Sequence, residues 1–161
     1  MRKIISSKEL DIGIISDVVV LHYKDNATVE GIQIISNAQI EQYITNEKVD
    51  VVVVLDQVSK PPNEEVRKKI QNDILNHFAK KINALAFVIR GNSFFKVGAR
   101  AVISGILLFT KVSFSTKVVS TIDEALTWLK TVTSHDYVDQ LNQDIRTDIE
   151  FFCKTKETIT S

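Results

Sequence analysis

The chain has 161 residues, of which 44% are hydrophobic and 25% charged. That length suits one domain with its own core, and that composition excludes a wholly disordered chain. Its 20 basic and 20 acidic residues cancel, which argues against nucleic acid as a partner, because phosphate binders draw affinity from excess positive charge.

The sole cysteine, Cys153, cannot form an internal disulfide, and no cysteine–histidine spacing suggests zinc. No metal or cofactor is expected. No apolar run approaches the ~18 residues of a membrane span. The opening Met1-Arg2-Lys3-Ile4-Ile5-Ser6-Ser7-Lys8-Glu9 regains charge too early for a signal-peptide core, so the cytoplasm is the expected compartment.

Taken along the chain, Leu10–Ile15 and Val18–Tyr23 read as short strands joined by a tight turn at Ser16-Asp17. Thr28 to about Asn46 reads as a helix capped by Thr28, although Gly31 and its isoleucines also permit a strand. Val49–Leu55 is mostly β-branched and apolar, as a central strand covered on both faces would be. Pro61-Pro62-Asn63-Glu64-Glu65 opens a helix whose buried stripe is Val66, Ile70, Ile74 and Phe78. Ala84–Ile89 is the next strand.

The following helix places Phe95, Ala99, Val102, Ile106 and Phe109 on one face. Beside them Gly98, Ala101 and Gly105 form a smooth strip, read as close packing on the sheet or as a helix–helix dimer contact. Val112–Val119 is a last strand, and Thr121-Ile122-Asp123-Glu124 is a capping box opening another helix. From Asp136 to about Lys154, an apolar stripe of Tyr137, Leu141, Ile145, Ile149 and Phe152 requires burial. Docking on its own domain and self-association with a second copy both satisfy that requirement.

The expected fold is therefore α/β, with a mixed five-stranded sheet in the order β-β-α-β-α-β-α-β-α and an additional C-terminal helix. Residues 1–134 form the domain, 135–154 the added helix, and 155–161 a disordered tail.

Three stretches carry a resemblance: Val51-Val52-Val53-Val54-Leu55-Asp56, Arg100-Ala101-Val102-Ile103-Ser104-Gly105, and Ser120 to Leu129. With the element order, they resemble the STAS-like family, the fold of bacterial anti-sigma-factor antagonists. They are more closely similar to uncharacterised bacterial relatives grouped with lipid-carrying CRAL-TRIO-type domains. The resemblance covers about residues 10–130. It implies a non-enzymatic regulatory or protein-interaction module of bacterial signalling, whose partner is a kinase or another regulator. It also implies an alternative, a carrier or sensor of a small apolar or lipid-like ligand.

In the antagonists a hydroxyl residue just after the central strand is phosphorylated, which releases the partner. The matching stretch here is Leu55-Asp56-Gln57-Val58-Ser59-Lys60-Pro61-Pro62, with Asp56 ending the strand and Ser59 the nearest hydroxyl. The family's Asp-Ser-Ser-Gly-type run is absent. Phosphate on Ser59 would place negative charge near a helix start, where it is favoured. The plainer reading of Ser59 is an exposed loop serine.

A second candidate is the turn Arg90-Gly91-Asn92-Ser93, with Arg90, Asn92 and Ser93 placed to meet an anion at a strand end and helix start. It has no nucleotide-binding glycine pattern, and an ordinary βα turn capped by Asn92 or Ser93 is the plainer reading. The histidines His22, His77 and His135 fall in no metal or catalytic motif, and no catalytic set is expected. Phe94, Phe95, Phe109 and Phe114 would line a ligand pocket if there were one, or fill a core.

Overall fold

A computed structural model describes residues 2–15, 18–38, 40, 47–56, 62–75, 78–91, 97–101, 103–105, 112–133 and 143–154. Its centre is a six-stranded mixed sheet whose strands lie side by side in chain order. These are β1 (Arg2–Ser6), β2 (Leu10–Ile15), β3 (Val18–Tyr23), β4 (Val49–Leu55), β5 (Ile82–Ile89) and β6 (Ser115–Val119). The pairs β1–β2 and β2–β3 are antiparallel, and β3 through β6 run parallel.

The mixed α/β class agrees with the sequence, but the strand count is six instead of five. The added strand is β1. Its register against β2 shifts between Lys3 and Ile5, so Ile4 is an extra residue. Ile4 and Ile5 both pack against the same core cluster. The bulge thus breaks the alternation by which strands are read from sequence.

The sheet separates two cores. On the first face, Leu10, Ile12, Val19, Leu21, Val51, Val53 and Leu85 pack with Ile32 and Ile35 of α1 (Val29–Asn37) and Val66 of α2 (Glu64–Lys69). On the second, Val18, Val20, Val52, Val54, Ala84, Ala86 and Val88 pack with α3 (Ile122–Val132) and α4 (Gln143–Lys154). Period-two alternation lets β3, β4 and most of β5 serve both faces. This is why β4 needs valine at nearly every position.

Local chemistry sets the helix starts. The Thr28 hydroxyl accepts from Gly31 N at 3.0 Å, and Asn63 accepts from Val66 N at 2.9 Å. At α3, Thr121 accepts from Glu124 N, while the Glu124 carboxylate reaches back to Ser120 N at 2.8 Å. The expected capping box is present, with its return bond one residue earlier than usual. α1 ends at Asn37, short of the expected Asn46. α2 continues into a π-helical turn over Ile70–Leu75.

The backbone is helical at 97–101 and 103–105, where Ile103 is buried and Val97 is 69% exposed. A side chain added at Gly98 or Gly105 would meet no atom within 4 Å among the described residues. Among the described residues, nothing packs against the strip at Gly98 and Gly105. Val102, Ile106 and Phe109 of the predicted buried face, with Phe94 and Phe95, lie outside the described residues. Phe114 fills the first core. Among the described residues, no helix is long and apolar enough to cross a membrane.

Candidate functional site

The second face ends in charge. Along β3, β4 and β5 the buried positions Val20, Val54 and Val88 are each followed two residues later by His22, Asp56 and Arg90. All three lie at the carboxyl ends of parallel strands, where open α/β sheets favour ligands. The ladder runs one residue past the strands, through Asp56 N to Tyr23 O at 3.1 Å and Arg90 N to Leu55 O at 3.0 Å. It thereby fixes the backbone that carries both side chains. Gly91 follows Arg90 with φ 120°, a conformation that suits glycine and turns the chain away.

Asp11 of β2 stands directly across from His22. It is fully buried, and His22 is only 4% exposed. The Asp11 carboxylate accepts from the Ser6 hydroxyl at 2.5 Å and pairs with Lys24 Nζ at 2.8 Å. Its Oδ2 lies 3.7 Å from His22 Nδ1, an ion-pair contact beyond hydrogen-bond length. On the other side of the ring, Nε2 donates to Asp56 Oδ2 at 2.8 Å. Asp56 Oδ1 lies 3.6 Å from Arg90 Nη1, and Arg90 Nη2 donates to Glu150 Oε2 of α4 at 2.9 Å. Charges of alternating sign therefore run from the interior of β2 to the helix that covers the face.

These contacts set the protonation states. Burial alone would push Asp11 up, but His22, Lys24 and Ser6 outweigh it and hold the carboxyl at about 2. Burial would push His22 down, but the carboxylates of Asp11 and Asp56 outweigh it and raise its pKa. An imidazolium is the form this pocket favours. Burial pushes the Cys153 thiol up to about 12, with Arg90 only partly offsetting it.

As an imidazolium His22 carries a proton on each nitrogen, and in that form the ring has no lone pair to act as a base. Cys153 is buried and remains a thiol near neutral pH, the poorly nucleophilic form. It lies in the second core. Among the described residues, no group of three or more His, Cys, Asp or Glu side chains is placed to hold a metal ion.

The candidates from the sequence fall into three groups. Asp56 and Arg90, assigned there to separate sites, form one ion pair. Ile145, Ile149 and Phe152 are buried against the chain's own sheet. Ser59, Asn92, Ser93, Tyr137, Leu141, His77, His135 and the 155–161 tail lie outside the described residues. Sequence reasoning missed Asp11, His22 and Glu150 as members of the cluster. The available signal was phase: a polar residue two places beyond an apolar one at the same end of successive strands.

Comparison with known proteins finds no matching family model, no matching curated protein and no matching solved structure.

Proposed function

We propose that the chain is a non-enzymatic regulatory module that binds a protein partner through the carboxyl edge around Asp56 and Arg90. The observation that carries this reading is the partly exposed ion-paired row of Asp56, Arg90 and Glu150, exposed by 26%, 25% and 31%. Charged side chains held in place by one another present a fixed pattern to a partner. Such patterns act mainly through specificity and encounter rate. The carboxylate-bound His22 and the thiol form of Cys153 support binding over catalysis.

The STAS-like resemblance belongs to the same proposal. An antiparallel strand pair followed by parallel strands with intervening helices is the order on which it rests. Under it, a kinase or other regulator is the expected partner. Phosphate on Ser59, three residues beyond Asp56, would add negative charge beside a carboxylate and weaken the contact. The carrier of a small apolar ligand is the second reading. The described parts of both sheet faces are filled by the chain's own side chains, which favours the first.

Native mass spectrometry of the chain purified from its source cells tests the proposal. A stoichiometric protein partner that is lost from a folded Asp56→Lys variant is the expected result. A partner retained by that variant removes the Asp56 edge from the proposal. A copurifying small apolar molecule replaces the module reading with the carrier.

A further inference from the structure

The row of charges does more than decorate an edge, because its last member belongs to a separate helix. α4 is held on the second face by Ile145, Ile149 and Phe152 and by ion pairs, two of which reach α3 and the end of β5. One is Arg146 to Asp123 of α3 at 3.4 Å, between exposed side chains. The other is Glu150 to Arg90, which connects directly to the buried histidine.

The geometry points to α4 as a proton-controlled latch, docked while His22 is an imidazolium and loosened when His22 loses its proton. This stands independently of whether the Asp56 edge binds a protein.

Asp11 faces His22 from β2, with the Ser6 hydroxyl of β1 and Lys24 beyond the end of β3 on the same carboxylate. Asp56 faces it from the end of β4, Arg90 backs Asp56 from the end of β5, and Glu150 completes the row from α4. Lys154 reaches Glu150 at 3.9 Å from a position 73% exposed. α3 contributes Asp123, on the outer side against Arg146.

Arg90 now lies closer to Glu150 than to Asp56, at 2.9 Å against 3.6 Å. The His22 imidazolium holds Asp56 through Oδ2, while Oδ1, buried and without a hydrogen bond of its own, lies 3.6 Å from Arg90, whose hydrogen bond goes to the helix. A neutral His22 can still donate from Nε2 but carries no charge. Asp56 then draws more on Arg90, and the anchor on Glu150 weakens. The strands are fixed by backbone ladders, so the opening of lowest cost is the helix.

The protein carries its own reporter. Cys153, the only cysteine, lies on α4 and is 8% exposed while the helix is docked. Its rate of reaction with a maleimide therefore measures helix opening multiplied by thiolate fraction. Thiolate formation alone raises the rate about tenfold per pH unit below the ordinary thiol value of about 8.5. The latch adds a second rise, which begins at the His22 value of the undocked chain and ends at the higher value of the docked one.

In the full chain, with far-UV circular dichroism confirming a constant fold, the labelling slope is expected to rise above the thiolate slope of about tenfold per pH unit while His22 titrates. His22→Gln is expected to label with the thiolate slope alone. Glu150→Gln, which cuts the row at the helix surface, is expected to label at least about threefold faster at about pH 6 and to lose the excess slope. If His22→Gln does not fold, Glu150→Gln decides. A wild-type slope of about tenfold throughout, or an excess slope that survives Glu150→Gln, overturns the latch.

Discussion

Two polar clusters sit on the second face of the sheet, one at each end, and differ in chemistry. At the amino end of β4, the buried Asp50 accepts from the Thr133 hydroxyl at 2.7 Å and from the Asn83 amide at 3.0 Å. Thr133 closes α3, so this cluster ties the end of that helix to β4 and β5 through neutral donors. At the carboxyl end, Asp11, His22, Asp56, Arg90 and Glu150 are joined by charge. The first arrangement holds its geometry through hydrogen bonds, while the second depends on where one proton resides. A single sheet face thus has a fixed end and a titratable end.

The largest expected effect tests whether the charged end is structural at all. Asp11→Ala leaves Lys24 and His22 without their buried carboxylate, and breaking a buried ion pair costs about 3–5 kcal/mol. Urea denaturation reads this as a lower midpoint at unchanged slope. An effect below about 1 kcal/mol would place Asp11 with surface pairs.

Asp50→Ala probes the opposite end. It strips the acceptor from Thr133 and Asn83, at about 1–3 kcal/mol by the same measurement. Because the two clusters share no residue, the losses from Asp11→Ala and Asp50→Ala are expected to add within about 0.5 kcal/mol. Clear non-additivity would mean that the two ends communicate through the sheet.

The pH profile then separates them. The raised pKa of His22 contributes stability that is complete below its unfolded value of about 6.5 and lost as pH rises through the folded value. His22→Gln is expected to remove that alkaline slope. Asp11, held at about 2, contributes stability present above the unfolded carboxylate value and lost as pH falls through about 2. Asp11→Asn is expected to flatten the acid limb. Denaturation midpoints across pH check both, and an Asp50→Ala protein is expected to retain both slopes.

The smallest effect is expected at the rim. Arg90 and Glu150 are partly exposed, and such pairs are worth about 0–1 kcal/mol. Arg90→Gln should therefore change global stability little. A loss above about 2 kcal/mol would mean that the row acts as one buried network.

The fold was legible where one strong local signal ruled. The valines of β4 require burial on both faces, and Thr28 and Thr121 mark helix starts by hydroxyl chemistry that needs no tertiary context. β1 was not legible, because its bulge puts consecutive isoleucines against one core. The carboxyl-end cluster escaped for another reason. Asp11, His22, Asp56, Arg90 and Glu150 come from five separate elements and form no local motif. Asp56 and Arg90 were singled out because each follows a recognisable strand, but only the parallel pairing of β4 with β5 makes them neighbours. His22 was visible only as a strand residue, since its partners lie on strands whose order had to be known first.

The irregular strand β1 has a consequence for solubility. It forms one outer border of the sheet, beside the buried, apolar β2. A regular, uncharged border strand offers its free backbone groups to any other chain that approaches. β1 is instead irregular at Ile4, so it makes a poorer template for further pairing. The feature that hid this strand from the sequence also guards the sheet against growth by self-addition.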